Sequence, residues 1–181
     1  MAVSNPSRQV LGTTIFRQQV AEIRALNAER WRIIRDIRLR SLADAPDAFT
    51  SSLERESTYD EQVWRNFATT GRWFVAYDGG PVGVAIGVKG WSGDETRREL
   101  IGMWVAPSHR RLGIARELFQ QVKAWAAAEG ATTLNLGVRE DNEGALAAYL
   151  RMGMRPSGES MPDVGQPTKL ITVMECDLTP G

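Results

Sequence analysis

Glu99-Leu100-Ile101-Gly102-Met103-Trp104-Val105-Ala106-Pro107-Ser108-His109-Arg110-Arg111-Leu112-Gly113-Ile114-Ala115 joins a strand, a basic turn and the start of a long helix. Residues 99–105 are apolar enough for a strand, and Ala106-Pro107 ends it. In the helix, Ile114, Leu118, Val122, Trp125 and Ala126 recur at three- and four-residue spacing and form one apolar stripe. Arg116, Glu117, Gln120, Gln121 and Lys123 fall mostly on the opposite side, and Gly130 suits a left-handed stop.

The start of that helix carries the chemistry. Unpaired backbone N–H groups at a helix N-terminus are usually capped by Ser, Thr, Asp or Asn. Here the cap region is Arg111 and Leu112, whose side chains accept no hydrogen bond. Gly113 removes the side chain that would keep a ligand from the backbone, and Ala115 keeps the next turn narrow. Free N–H donors, the positive end of the helix dipole and two arginines make an anion site suited to phosphate. The alternative is an exposed basic turn whose donors are capped by water.

Outward from this stretch, 181 residues suit one domain with a proper core. Lysine plus arginine and aspartate plus glutamate both number 22, so no global basic field argues for nucleic acid, and no polybasic run argues for a membrane surface. The single cysteine, Cys176, has no internal disulfide partner, which fits a reducing cytosol, and its strand-like context suits a buried thiol. No run has the length of a membrane span and no apolar signal core opens the chain, so a cytoplasmic protein is expected.

Residues 1–19 have weak periodicity and read as an extension, leaving 20–181 as a single domain. Strands are expected over 20–26, 72–77, 82–88, 99–105, 133–138, 154–157 and 170–177. Helices are expected over 28–42 (capped by Asn27), 60–68, 114–128 and 143–152, the last capped by Asp141 or Asn142. Asp78-Gly79-Gly80-Pro81 makes the turn of a hairpin. The order is βααβββαβαββ, an α/β sandwich around a mixed sheet, with a parallel crossover across the central helix. Asp44, Asp47, Glu54, Glu56, Asp60 and Glu61 stand against the lone Arg55, either as a solvated face or as an attraction for a cationic amine.

Taken together, Met103-Trp104-Val105-Ala106-Pro107, the loop Arg110-Arg111-Leu112-Gly113-Ile114-Ala115, the strand over 134–138 and Asn142-Glu143-Gly144-Ala145 leading to Tyr149 and Gly153 resemble the GNAT superfamily of acyl-CoA-dependent N-acetyltransferases. Its loop signature, Gln/Arg-x-x-Gly-x-Gly/Ala, is matched by Arg110, Gly113 and Ala115. The likeness covers about residues 21–178, and residues 39–49 look like the start of many bacterial members of unassigned substrate. It implies a mostly antiparallel mixed sheet with helices on both faces and a splayed parallel pair at the coenzyme site.

The resemblance also assigns roles. Acetyl-CoA is the implied cosubstrate, with its pyrophosphate on the amides of Arg111, Leu112, Gly113, Ile114, Ala115 and Arg116, beside Arg110. Its pantetheine arm would run between the strands at 99–105 and 133–138, along Met103, Trp104 and Val105, with Asn142 and Ala145 nearby. The Val105 N–H is the expected donor to the thioester carbonyl. Tyr149, seven residues after Asn142, is the implied general acid for the departing thiolate, although its residue type also suits packing on Leu146 and Leu150. Asn142 reads as a helix cap, a coenzyme contact, or both.

Strand alternation puts Glu99, Ile101, Met103 and Val105 on one face, where a carboxylate among apolar groups would be a candidate base. A water chain, or a Glu99 merely exposed at the strand start, is the alternative. His109 reads as solvent-facing or phosphate-adjacent. The tryptophans read as core, with Trp73 and Trp91 open to lining an acceptor pocket. No Cys/His/carboxylate cluster has metal-ligand spacing. The expected reaction moves acetyl from acetyl-CoA to a primary amine of a small molecule or peptide by direct attack, and a homodimer is compatible with the family. A non-catalytic acyl-CoA sensor on the same fold is the alternative. A nucleotide P-loop is disfavoured, because no Gly-Lys-Ser/Thr triplet follows the loop.

Overall fold

The structure is a computed structural model that describes residues 21–90 and 93–178. The expected extension over 1–19, and Trp91, lie outside the described residues. The elements are β1 (Glu22–Leu26), α1 (Trp31–Asp44), α2 (Leu53–Ser57), α3 (Glu61–Thr70), β2 (Arg72–Tyr77), β3 (Pro81–Lys89), β4 (Arg97–Val105), α4 (Ile114–Ala128), β5 (Thr133–Arg139), α5 (Glu143–Arg151), β6 (Arg155–Pro162) and β7 (Leu170–Asp177). This is the expected order with the short α2 added.

Local chemistry sets the helix starts. Asn27 accepts from the Glu29 N–H and opens a 3-10 turn at Ala28–Arg30 that leads into α1. Asp60 accepts from the Val63 N–H at 2.9 Å, and Asn142 from the Ala145 N–H at 3.1 Å. Between helices the strands form a seven-stranded sheet in the order β1-β2-β3-β4-β5-β7-β6. Among the described strands only β4 and β5 pair in parallel, across the α4 connection.

Helices cover both faces of this mixed sheet. On one face α4 buries Ile114, Leu118, Phe119, Val122 and Ala126. It lies so close to β3 that a Cβ added at Gly87 would stand 2.3 Å from the Trp125 ring. The other face is covered by Ile34, Ile37 and Leu42 of α1 and Trp64 of α3, all fully buried. Trp73 belongs to this core too, its indole N–H donating to the Phe67 carbonyl at 2.9 Å. Cys176 is a buried thiol, and burial pushes its pKa up.

Two expectations need correction. The strand expected over 154–157 runs instead over Arg155–Pro162, an exposed edge paired only with β7. Its exposure on both faces removes the alternation that periodicity depends on. More consequentially, β4 does not keep Glu99, Ile101, Met103 and Val105 on one face. Trp104 pairs with Val84 and Ile101 with Ile86, so β4 spends one more residue than β3 over the same length. This is a β-bulge at Gly102, whose φ is +64°. It leaves Glu99, Ile101 and Trp104 on the α1 side, while Val105, opposite Gly83, faces α4 with Leu100.

Candidate active site

The parallel pair is very short. β4 and β5 share only Arg97↔Thr133, Arg98↔Leu134 and Glu99↔Asn135, and from Leu100 onward the two strands part. The bulge at Gly102 bends β4 away over that same stretch. β5 is held instead by β7, along all seven of its residues from Thr133↔Asp177 to Arg139↔Ile171. The result is a wedge with Glu99 and Asn135 at its base and Met103 to Val105 along one wall.

Backbone polarity along that wall follows from pairing. The Ala106 N–H bonds the Val82 carbonyl at 2.8 Å, so by antiparallel alternation the Val105 N–H and carbonyl point away from β3, into the wedge. The Val105 carbonyl already accepts from Arg110 Nε at 3.0 Å, which leaves its N–H as the group on offer.

At the mouth, Arg111 and Gly113 both adopt the left-handed conformation, at φ +63° and +86°. Arg111 is the one non-glycine residue with positive φ among the described residues. Alternating left-handed residues turn successive N–H groups to one side, as in an anion nest. Gly113 then starts α4 with no side-chain cap, and nothing lies within 4 Å of where its Cβ would stand. The space beside Gly113 is therefore open, at the positive end of a fifteen-residue helix. An elongated ligand with a diphosphate at one end fits this cradle and wedge.

The loop's own side chains are tied inward. Arg110 pairs with Asp44 as well as with the Val105 carbonyl, and Asp44 also accepts from the Trp104 indole N–H at 2.8 Å. Asp44, at the end of α1, thus fastens the bulged strand and the anion loop to one another. His109 turns to neighbouring side chains. It bonds Ser108 at 2.8 Å and reaches the Asp78 carboxylate in the β2–β3 turn at 3.3 Å.

The acids between Asp44 and Glu61 are largely engaged in structure. Glu56 is 2% exposed and takes a fork from Arg38, at 2.7 and 2.9 Å, beneath the Phe49 ring. Asp60 caps α3, and Glu61 pairs with Arg65 at 2.7 Å. The β6–β7 connection folds against this region. Gln166 reaches Asp47 at 3.4 Å, and Arg139 donates to the Asp47 carbonyl at 2.8 Å. The Asp141 carboxyl is held far below the usual carboxylate range by its hydrogen bonds to Arg139 and Lys169.

Tyr149 is half-buried on α5 and packs against the core; burial pushes its phenol pKa well above the ordinary value. Ala145 packs beside it, its N–H taken by the Asn142 cap. One polar residue of the wedge escaped the sequence reading. Asn135 is 6% exposed, and its amide oxygen has no hydrogen-bond partner. The signal was present in Leu134-Asn135-Leu136, a polar residue inside a strand that turns out to be covered on both faces. Among the described residues no group of three His, Cys, Asp or Glu side chains could hold a metal ion, and no helix is long and apolar enough to cross a membrane.

Comparison with known proteins settles the lineage. The acetyltransferase (GNAT) family profile matches residues 34–154, from α1 through the anion loop to the end of α5. The chain belongs to the GNAT acetyltransferase family. Among its GNAT-type structural neighbours is yncA, a putative acetyltransferase from Salmonella typhimurium solved with its cofactor acetyl-CoA, at TM-score 0.72 and 19% identity over 89% of this chain and 95% of that one. Another is the ribosomal-protein-S18-alanine N-acetyltransferase of Escherichia coli, at TM-score 0.63 and 18% identity over 88% and 95% of the two chains. These likenesses concern the fold. A sequence relative is the acetyl transferase GW6a of Oryza sativa subsp. japonica, 40% identical over 58 residues, which are 32% of this chain but only 14% of that longer protein.

Proposed function

We propose that this GNAT-family protein transfers acetyl from acetyl-CoA to a primary amine, by direct attack within a ternary complex. The observation that carries the reading is the wedge: a parallel pair that stops after three rungs, ending at an uncapped helix start. The amides of Arg111, Leu112, Gly113, Ile114, Ala115 and Arg116 would hold the pyrophosphate, with Arg110 bracing the loop rather than reaching the ligand. The pantetheine arm would lie along Met103, Trp104 and Val105, and the α5 start at Asn142 and Ala145 would close the far side.

The thioester supplies an activated acetyl group; the chain's residues orient and stabilise. The Val105 N–H would donate to the carbonyl oxygen as charge grows there, a contact worth about 3 kcal/mol in comparable oxyanion sites. Glu99, at the wedge base on the α1 side, is the candidate base that takes the amine's proton. Tyr149, protonated throughout the working pH range, is the candidate acid that gives a proton to the departing sulfur. The C–N bond forms, the C–S bond breaks, and the proton lost by the amine is balanced by the one gained by the thiolate. The acceptor would enter from the α1 side, between Phe49 and the β6–β7 connection, as a small-molecule or peptide amine.

The test is release of free coenzyme A thiol from acetyl-CoA over a panel of amines, with Tyr149→Phe alongside. Turnover that falls at least roughly tenfold in that variant, at unchanged coenzyme affinity, supports the reading. Coenzyme binding without turnover of any amine would leave a sensor rather than an enzyme.

A further inference from the structure

Arg38 of α1 has one edge in use and one to spare. Its Nε and Nη2 form the fork to Glu56, and the Phe49 ring covers one face of the guanidinium at 4.8 Å. That leaves Nη1, which donates to none of the described residues. Nor is Nη1 sealed. The described side-chain atoms that are both sealed and unpartnered are the Trp31 and Trp64 indole nitrogens, Arg98 Nε and Asn135 Oδ1. A side chain only 14% exposed therefore keeps its one free edge open.

The bulge shows where that edge lies. A Cβ added to Gly102 would stand 3.8 Å from Arg38 Nη1 and 2.8 Å from Ile86, on the α1 side of β4. Glycine at φ +64° thus leaves the guanidinium edge uncovered, at a point where the parallel pair has already ended and the wedge is open. A buried ion pair roughly breaks even against apolar packing, so stability alone gives little reason to keep one here. With Glu56 fixing the other edge, Nη1 is a pre-ordered donor on the side from which the acceptor enters.

We infer that Arg38 is a specificity-determining residue that reads the acceptor: Nη1 donates to a neutral carbonyl oxygen next to the reacting amine, so the acceptor is an α-amino amide, as at the N-terminus of a peptide. This rests on the acetyltransferase reading above and names its acceptor class. Reach supports the spacing. Gly102 lies three residues before Val105, about 10 Å of strand at most and less across a bulge. A thioester carbonyl on the Val105 N–H, with an amine in attack position, spans about 5 Å of this, and the bond from Nη1 about 3 Å. The remainder is no more than a few ångström, which fits an amine and an oxygen on adjacent carbons, as in N–Cα–C=O. Charge selects the neutral oxygen. Glu56 already balances the guanidinium, so a carboxylate would meet no net positive charge and would stand near a second buried anion.

The experiment measures kcat/KM per neutral amine for alaninamide, sec-butylamine and alanine, in wild type and in Arg38→Lys. Lysine keeps a cation on Glu56 but has no second edge to offer. In wild type, alaninamide leads sec-butylamine by at least roughly tenfold, against the greater intrinsic nucleophilicity of the alkylamine, and it leads alanine as well. In Arg38→Lys the lead over sec-butylamine shrinks roughly tenfold, whatever rate the two amines lose in common. A purely structural ion pair would lower both amines alike and leave the ratio untouched, which overturns the proposal. So does a wild type that handles sec-butylamine or alanine as well as alaninamide. Should Arg38→Lys not fold, Arg38→Gln with Glu56→Gln, which strands neither charge, is read by the same ratio. Wild-type protein that turns over no amine of a wide panel overturns the acetyltransferase reading itself; turnover of other amines but of none of these three overturns only this inference.

Discussion

Replacing Asp44 by alanine should damage stability and coenzyme affinity together. Its carboxylate is shared by the Trp104 indole N–H, at 2.8 Å, and by the Arg110 guanidinium. Trp104 is 5% exposed, so its N–H would be stranded away from water, at a cost of about 1–3 kcal/mol. The Arg110 pair is partly exposed, with side-chain accessibilities of 48% and 26%, and adds no more than about 1 kcal/mol. Together the loss is about 1–4 kcal/mol, which in a chain of this size lowers Tm by about 3–12 °C. Arg110 would also be freed from one of its two anchors, so binding would have to order the loop. That should weaken acetyl-CoA about threefold to tenfold in calorimetry. Asp44→Asn keeps an acceptor for the indole and loses only the ion pair, so its Tm should fall by less than half as much. If Asp44→Ala melted within about 1 °C of wild type and bound acetyl-CoA equally well, the argument that Asp44 fastens strand to loop would be refuted.

Other expectations follow from neighbouring features. Gly113→Ala puts a Cβ on a residue at φ +86°, costing about 1–2 kcal/mol in differential scanning fluorimetry; a further loss of coenzyme affinity is expected because the new methyl faces the anion cradle. Gly87→Ala collides with the Trp125 ring, 2.3 Å away, and should be destabilising by more than 2 kcal/mol by chemical denaturation (roughly) unless Trp125→Ala accompanies it; simple additivity of the two changes would disprove the contact. Because the Tyr149 phenol is raised in the folded state, its stabilising share is complete below about pH 10 and shrinks above it, so Tyr149→Phe should flatten the alkaline end of the stability curve. Asp141 works with the opposite sign: its depressed carboxyl favours the fold above about pH 4 and loses that effect on acidification, and a carbon-13 titration of its side chain with a midpoint in the ordinary range would contradict the clamp by Arg139 and Lys169.

Much of the architecture was legible because periodicity and caps are local. The stripe of α4, the caps at Asn27 and Asn142, and the hairpin around Asp78-Gly79-Gly80 are set within a few residues of themselves. Gly113 and the absence of a capping side chain were readable for the same reason. What escaped depends on a partner strand. Nothing in Ile101-Gly102-Met103-Trp104 reveals that β3 is one residue shorter there, yet that mismatch moves Val105 to the face opposite Glu99. The short pairing of β4 with β5 belongs to this class, as does the reach of Arg110 back to Val105 and across to Asp44. Composition alone left the acidic excess over residues 44–61 open, since Arg38 and Trp104, the partners of Glu56 and Asp44, lie outside it in the chain. Asn135 was passed over because a polar residue in an alternating strand is ordinarily wet, and only the sheet's double cover makes it dry.

The strand order has a consequence for how the protein comes into being. β5 touches β4 over three rungs but runs along the whole of β7, which closes the described chain at residues 170–177. During synthesis, the β5 bank of the wedge therefore has only three rungs and its packing on α4 to hold it until β7 emerges and slots between β5 and β6. A premature stop before residue 170 would leave β5 as an edge held by three rungs and β6 with no neighbour at all, so the loss would fall on the sheet itself.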